Sequence, residues 1–237
     1  MMKKWLPLAL LTIGPLVAAE GATESPWSGE GDLAFSKSSG NSRNATLRAK
    51  LLLSYSVHRW TYSGQIEAVN ASEDDTRSAE AYTLRGKTAY DITDRYYTFG
   101  NGRYEDNRFS GYEYQAALTM GVGVHVIATD KALFDLEGGA GYRRSEEQNT
   151  GETFNEAILL LAGKYHRELT ETTRFESNLN AEAGDDNTYV EGLMGIRVKI
   201  NSRLALKVAY TVKHNTDVPV GTKNTDTLSS VGLTYSF

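Results

Sequence analysis

The chain has 237 residues, with 30 acidic against 25 basic side chains and a formal net charge of −5, a mild acidity that argues against a nucleic-acid partner. It contains no cysteine, which excludes a disulfide framework and a lipid attached through a thiol. Mean hydropathy is −0.42, too polar for a bundle of apolar membrane helices. That value still suits a barrel, whose strands alternate lipid-facing and lumen-facing residues.

In chain order, Lys3 and Lys4 precede an apolar stretch from Trp5 to Val17 that runs into Val17-Ala18-Ala19. A basic start, a short apolar run and small residues at its end are the pattern of a secretory signal peptide. The run is shorter than the ~20 residues a spanning helix needs. Residues 1–19 are therefore expected to be removed near Ala19, which takes the net charge to −7 with the loss of two lysines. Residues 20–26 then form a short periplasmic N-terminal segment, and 27–237 form one folded unit.

From Trp27 onward the sequence alternates in polarity with period two, in segments separated by turn chemistry. The segments are 27–37, 44–57, 60–71, 81–90, 96–105, 112–126, 132–144, 154–167, 173–183, 188–200, 204–213 and 225–237. The second is typical: Ala45, Leu47, Ala49, Leu51, Leu53 and Tyr55 share one face, while Thr46, Arg48, Lys50 and Ser54 share the other. The fifth is the least regular. Tyr97 and Phe99 share parity with Arg103, so either two aromatics turn inward or a bulge resets the face. The sixth carries the longest apolar row, Tyr112, Tyr114, Ala116, Leu118, Met120, Val122, Val124 and Val126.

Connections alternate between short and long. Those after the second, fourth, sixth, eighth and tenth segments are brief; most of the others are longer and rich in Gly, Asn, Asp and Ser. Segments of about 12 residues at ~3.3 Å rise and ~40° tilt span roughly 30 Å, enough for a ~25 Å apolar band. The expected fold is all-β: a transmembrane antiparallel up-and-down β-barrel of about 12 strands in the bacterial outer membrane, with both termini periplasmic and the long loops outside. Tyr55, Trp60, Tyr62, Tyr90, Tyr96, Tyr112, Tyr210 and Tyr235 fall near segment ends, where rings sit at headgroup level.

The polar parity carries almost every mid-segment charge. Its acids include Asp32, Glu67, Asp135, Glu137, Glu176, Glu191 and Asp226, and its bases Arg48, Lys50, Arg85, Lys87, Arg143, Arg197 and Lys213. A base on the lipid face at the midplane costs ~2–4 kcal/mol, so these residues are expected to line the lumen. Hairpin registers place Asp32 near Arg48 or Lys50, Glu67 near Arg85, Glu176 near Arg197, and Lys213 near Asp226. Such pairs, each contributing up to ~1 kcal/mol, would narrow or fill a lumen of this size.

Enzymatic signals are weak. His58 and His214 fall in connections without a Ser two residues on, and His125 and His166 point to the expected lumen. No His or Cys pair has zinc spacing. The acidic runs Glu73-Asp74-Asp75 and Asp185-Asp186 lack the alternating ligands of a calcium loop, and Gly138-Gly139-Ala140-Gly141 is followed by no helix that would make it a phosphate loop. No catalytic residue, metal site or cofactor is expected.

Specific stretches add a family resemblance. Ser39-Gly40-Asn41, Arg59-Trp60, Arg108-Phe109-Ser110-Gly111-Tyr112 and Gly139-Ala140-Gly141-Tyr142-Arg143-Arg144 resemble the salt-induced outer-membrane proteins. That resemblance spans about 27–237 and implies a Gram-negative outer-membrane barrel of unestablished activity, with a link to salt or osmotic response. Ser42-Arg43 departs from its pattern. The last segment, alternating from Thr225 to Tyr235 and Phe237, resembles the closing strand of outer-membrane barrels, which implies that Tyr235 and Phe237 form an assembly signal read by the barrel-assembly machinery. Outer-membrane lipid and lipopolysaccharide are the other implied partners. The resulting expectation is a narrow, weakly selective channel or a structural barrel. The alternative is a lipid-acting enzyme or a surface receptor, which would usually carry longer loops or a plug domain.

Overall fold

A computed structural model describes residues 25–37, 44–73, 76–107, 110–218 and 223–237. Twelve strands follow one another: β1 (Trp27–Lys37), β2 (Asn44–Val57), β3 (Trp60–Glu73), β4 (Thr76–Asp91), β5 (Tyr96–Asn107), β6 (Tyr112–Thr129), β7 (Ala132–Glu147), β8 (Thr153–Glu168), β9 (Thr173–Gly184), β10 (Thr188–Lys199), β11 (Leu204–Asn215) and β12 (Thr225–Ser236). Each pairs antiparallel with its sequence neighbours, and β1 pairs with β12, so the sheet closes into a barrel with no free edge. No helix among the described residues is long and apolar enough to cross a membrane; strands do the crossing in a barrel.

The period-two pattern becomes two surfaces. Leu118 and Met120 of β6 are 72% and 73% exposed, and Leu33, Ile66, Leu159, Met194 and Val208 on other strands also point outward. An apolar belt that runs right round the molecule exceeds what a water-soluble monomer exposes, and hydrocarbon is the solvent that fits it. At the end carrying the short turns, which we call the turn end, Trp27, Tyr55, Tyr62, Trp60 and Tyr90 form a contiguous run of rings across β1 to β4, with neighbouring centroids 4.8–6.5 Å apart. The β2–β3 connection there is only His58 and Arg59, with His58 in the left-handed region at φ 55°.

Strand bounds depart from the sequence reading mainly at the opposite, loop end. β4 begins five residues earlier than its alternation, at Thr76 instead of Ala81, and β7 runs on to Glu147. Beyond the apolar band both faces meet water, so the ladder continues after the polarity signal has stopped. Tyr112 corrects the apolar row of β6. A register shift between Tyr112 and Tyr114 turns its ring inward, where it is 6% exposed and donates its hydroxyl to the Asp217 carbonyl at 3.1 Å. A second shift between His125 and Ile127 resets the turn end of the same strand. Extra residues of this kind move every following side chain across the wall.

In β5 the aromatics turn inward. Tyr97 and Phe99 pack with Leu160 as a small buried cluster inside the wall. Room for Tyr97 comes from β6, where a methyl on Gly123 would lie 2.2 Å from the tyrosine ring. The glycine run of β7 is likewise close packing: a Cβ on Gly139 or Gly141 would meet β6 carbonyl oxygens at 2.4 and 2.0 Å. Residues 1–24, Ser39-Gly40-Asn41, Asp74-Asp75 and Arg108-Phe109 lie outside the described residues, so the expected signal peptide and those parts of the motifs do too.

Candidate functional site

Among the described residues, chemistry-bearing side chains converge in the interior. In the loop half, Arg103 of β5 makes a two-pronged pair with Glu182 of β9, at 3.0 and 2.6 Å, with both side chains 1% exposed. The planar guanidinium matches a carboxylate fork, and its face lies 4.3 Å from the Tyr189 ring. Arg143, fully buried, holds Glu156 at 2.6 Å and contacts Glu182 at 3.7 Å. Glu156 in turn accepts the backbone N–H groups of Asp186 and Asn187 at 3.0 and 3.3 Å. Asp185-Asp186 therefore belongs to a loop tied to the interior by Glu156.

Two ion pairs reach from one wall to the wall six strands away. Arg85 of β4 meets Glu191 of β10, and Lys213 of β11 meets Glu105 of β5, the second at 2.7 Å. In a twelve-stranded ring, strands six apart are diametrically opposed, so both pairs are bars across the lumen. Tyr189 donates to Glu191 at 2.7 Å and steadies one bar. Arg48 and Glu67 pair along the wall at 2.8 Å.

The turn half has its own network. Arg197 spans to Glu30 at 2.7 Å and to Glu176 at 2.7 Å, while Lys207 bridges Glu176 at 2.9 Å and Asp32 at 3.6 Å. Lys50 approaches Asp32 only to 3.9 Å. Nearer β5 to β7, Lys87 meets Glu137, which also accepts from the Tyr97 hydroxyl at 2.7 Å. His125 holds Asp135 at 2.7 Å through Nδ1 and stacks on Tyr97, with Nε2 3.8 Å from Asp91.

Among the described residues, two sizeable cavities lie between these networks. One of about 390 Å³ lies at the turn end and is bordered by Asp91, His125 and Asp135; one of about 300 Å³ lies at mid-barrel beneath Arg85, Arg103, Glu182 and Glu191. They adjoin, since Ser63, Lys87, Glu137, Lys164 and Asn178 border both.

The structure puts thirteen of the fourteen expected lumen residues into interior ion pairs or short polar contacts, with partners that differ in part from the hairpin registers. Asp32 with Lys50 and Glu176 with Arg197 are brought together. Glu67 pairs with Arg48, because Gln65 and not Glu67 faces Arg85 across β3 and β4. Asp226 stands opposite Lys213 in register, yet the lysine reaches over the lumen to Glu105 and Asp226 is exposed, without an ion pair among the described residues. Glu105 and Tyr189 join the interior without having been singled out by alternation alone; parity with Arg103 and Glu191 is the signal that points to them. Tyr235 and Phe237 point outward with ring centroids 6.1 Å apart. Among the described residues, no group of three or more His, Asp or Glu is arranged to hold a metal.

Residues 31–237 match the family model described as "Protein of unknown function, DUF481". The chain is 28% identical over 217 residues to the uncharacterized protein YdiY of Escherichia coli strain K12, covering 91% of this chain and 85% of that protein. Among solved structures it is similar to the NanC porin, with a TM-score of 0.52 at 10% identity over 89% of this chain and 97% of that one, a likeness of fold. It is also similar to the translocator domain of the autotransporter NalP from Neisseria meningitidis, at a TM-score of 0.48, 12% identity and 89% and 87% coverage.

Proposed function

The chain belongs to the DUF481 family of proteins of unknown function, and we propose that within it this outer-membrane-type β-barrel acts as a narrow, weakly selective passive channel. The observation that carries the reading is the pair of adjoining cavities, which lead from the turn end to mid-barrel, where the wall-to-wall pair of Arg85 and Glu191 borders them. A purely structural barrel of this width has no need of a continuous polar hollow, since side chains alone fill smaller barrels. The bars set the narrowest level of the passage.

In this reading the signal peptide is cleaved near Ala19, the termini and turn end face the periplasm, and lipid and lipopolysaccharide surround the apolar belt. The assembly machinery engages the last strand through Tyr235 and Phe237. The reading assigns no catalytic role to His125, whose two ring nitrogens face carboxylates and not a nucleophile's hydroxyl. The exposure of one bar supports the proposed link to salt. Arg85 and Glu191 keep 25% and 16% of their side chains exposed, so ions entering the lumen screen their attraction.

Planar-bilayer recording tests the reading. The wild-type barrel should give small, discrete conductance steps, and the Arg85→Ala, Glu191→Ala double variant larger ones. Currents no greater than the bare lipid baseline for both proteins would eliminate the channel and leave the structural barrel.

A further inference from the structure

The mid-barrel cavity has an imbalance that the channel reading does not require. Six basic and four acidic side chains border it. Each acid is already held: Glu67 by Arg48, Glu137 by Lys87 and the Tyr97 hydroxyl, Glu182 by both prongs of Arg103, and Glu191 by Arg85 and the Tyr189 hydroxyl. The bases are not used up. The Nε groups of Arg48 and Arg85 are buried without a hydrogen-bond acceptor. Lys164 makes no ion pair among the described residues, and Lys50 stands 3.9 Å from an Asp32 that it shares with Lys207. All four border the same 300 Å³ hollow.

A buried donor left unmatched costs about 1–3 kcal/mol, more when charged. That cost falls on the two arginine Nε groups; Lys50 is half-buried and Lys164 is open to the lumen, so the hollow holds four cationic groups with spare donors and no acid left to take them. We propose that the mid-barrel cavity binds a small oxyanion, a carboxylate or phosphate group, held by Arg48, Arg85, Lys50 and Lys164. Guanidinium forks match the paired oxygens of such groups, and lysines add compact charge. The amide of Asn178 on the adjoining wall supplies a neutral donor, while that of Asn180 already donates to Glu182 at 3.2 Å. The volume corresponds to roughly ten waters at ~30 Å³ each, which limits the bound portion to one small anion or one anionic group of a longer solute.

The inference rests on the channel reading only in that the site lies on the proposed passage, so binding is measured apart from conduction. The full-length barrel, folded in detergent micelles, is titrated calorimetrically with inorganic phosphate, and with chloride at matched ionic strength. Phosphate should give a saturable one-site heat that chloride lacks. Lys164→Gln and Lys50→Gln should each weaken it at least about tenfold, the loss of one charge-assisted hydrogen bond. Lys131→Gln, in the β6–β7 turn, should leave it unchanged. Folding of each variant is checked by its heat-modifiable mobility in gels. A phosphate heat no different from the chloride control, or one that survives Lys164→Gln with Lys50→Gln intact in mobility, overturns the site. A barrel that binds phosphate yet shows no conductance removes the channel and keeps the site; conduction without binding does the reverse.

Discussion

The ring of Phe237 lies over the α-carbon of Gly29, so close that a methyl group built there would sit 2.3 Å from two ring carbons. The same two residues exchange both backbone hydrogen bonds, at 2.9 and 3.0 Å. They meet at the seam where β12 returns to β1, which has six register pairs against eleven between β11 and β12. Gly29 is thus the seat of the terminal ring at the shortest closure in the wall.

Replacing Gly29 by Ala should therefore destabilise the closed barrel by about 1–3 kcal/mol, the usual cost of overpacking. Phe237→Ala removes the ring that clashes, so the double variant should lose less than the sum of the two single changes. Urea midpoints of barrels refolded in micelles check this. Strict additivity would mean that the ring has another place to go.

Inside the wall, Gly123 performs the same service for Tyr97. Gly123→Ala should displace the ring from its stack on His125 and weaken its hydroxyl contact to Glu137, at a cost again of about 1–3 kcal/mol. Because Tyr97 borders the turn-end cavity, Tyr97→Ala should instead enlarge the opening and raise single-channel conductance. A lower conductance in Tyr97→Ala would place the passage elsewhere.

Those two contacts also mark what the sequence could tell and what it could not. Strand count and the facing of Arg48, Lys50, Arg85 and Lys87 follow from period-two alternation, because hydrocarbon outside and charge inside leave no choice of face. Alternation does not report where a residue is inserted, so it puts Tyr112 on the wrong side of the shift at Tyr112 and Tyr114. Nor does it see past the neighbouring strand. Hairpin register pairs Lys213 with Asp226, while the fold hands it Glu105 from the opposite wall, a partner 108 residues away.

The Arg103 and Glu182 pair tests the filled loop half. With both side chains 1% exposed, removing Glu182 leaves the buried Arg103 charge with only its one-pronged contact to Glu105 at 3.3 Å. Glu182→Leu should cost ~3–5 kcal/mol, whereas Arg103→Met with Glu182→Leu should fall back towards wild-type stability. The comparison is read from urea unfolding at constant pH. A double variant as unstable as the single one would show that Arg143 and Glu105, which also touch the pair, depend on its charges.

The wetter bar, Arg85 to Glu191, makes the opposite prediction, because exposure decides which pairs salt can reach. Screening length falls from ~10 Å at 0.1 M salt to ~3 Å at 1 M. The buried Arg103 and Glu182 pair is sheltered from that change; Arg85 and Glu191, with 25% and 16% of their side chains open to the lumen, are not. As salt rises, this bar should spend more time broken, and wild-type conductance should grow more steeply than in proportion to salt concentration. In the Arg85→Ala, Glu191→Ala variant no bar remains to loosen, so conductance should start higher and rise in proportion. Single-channel currents at 0.1 and 1 M potassium chloride give both slopes. Equal slopes would separate the bar from any response to salt, since screening would then have nothing at this level to act upon.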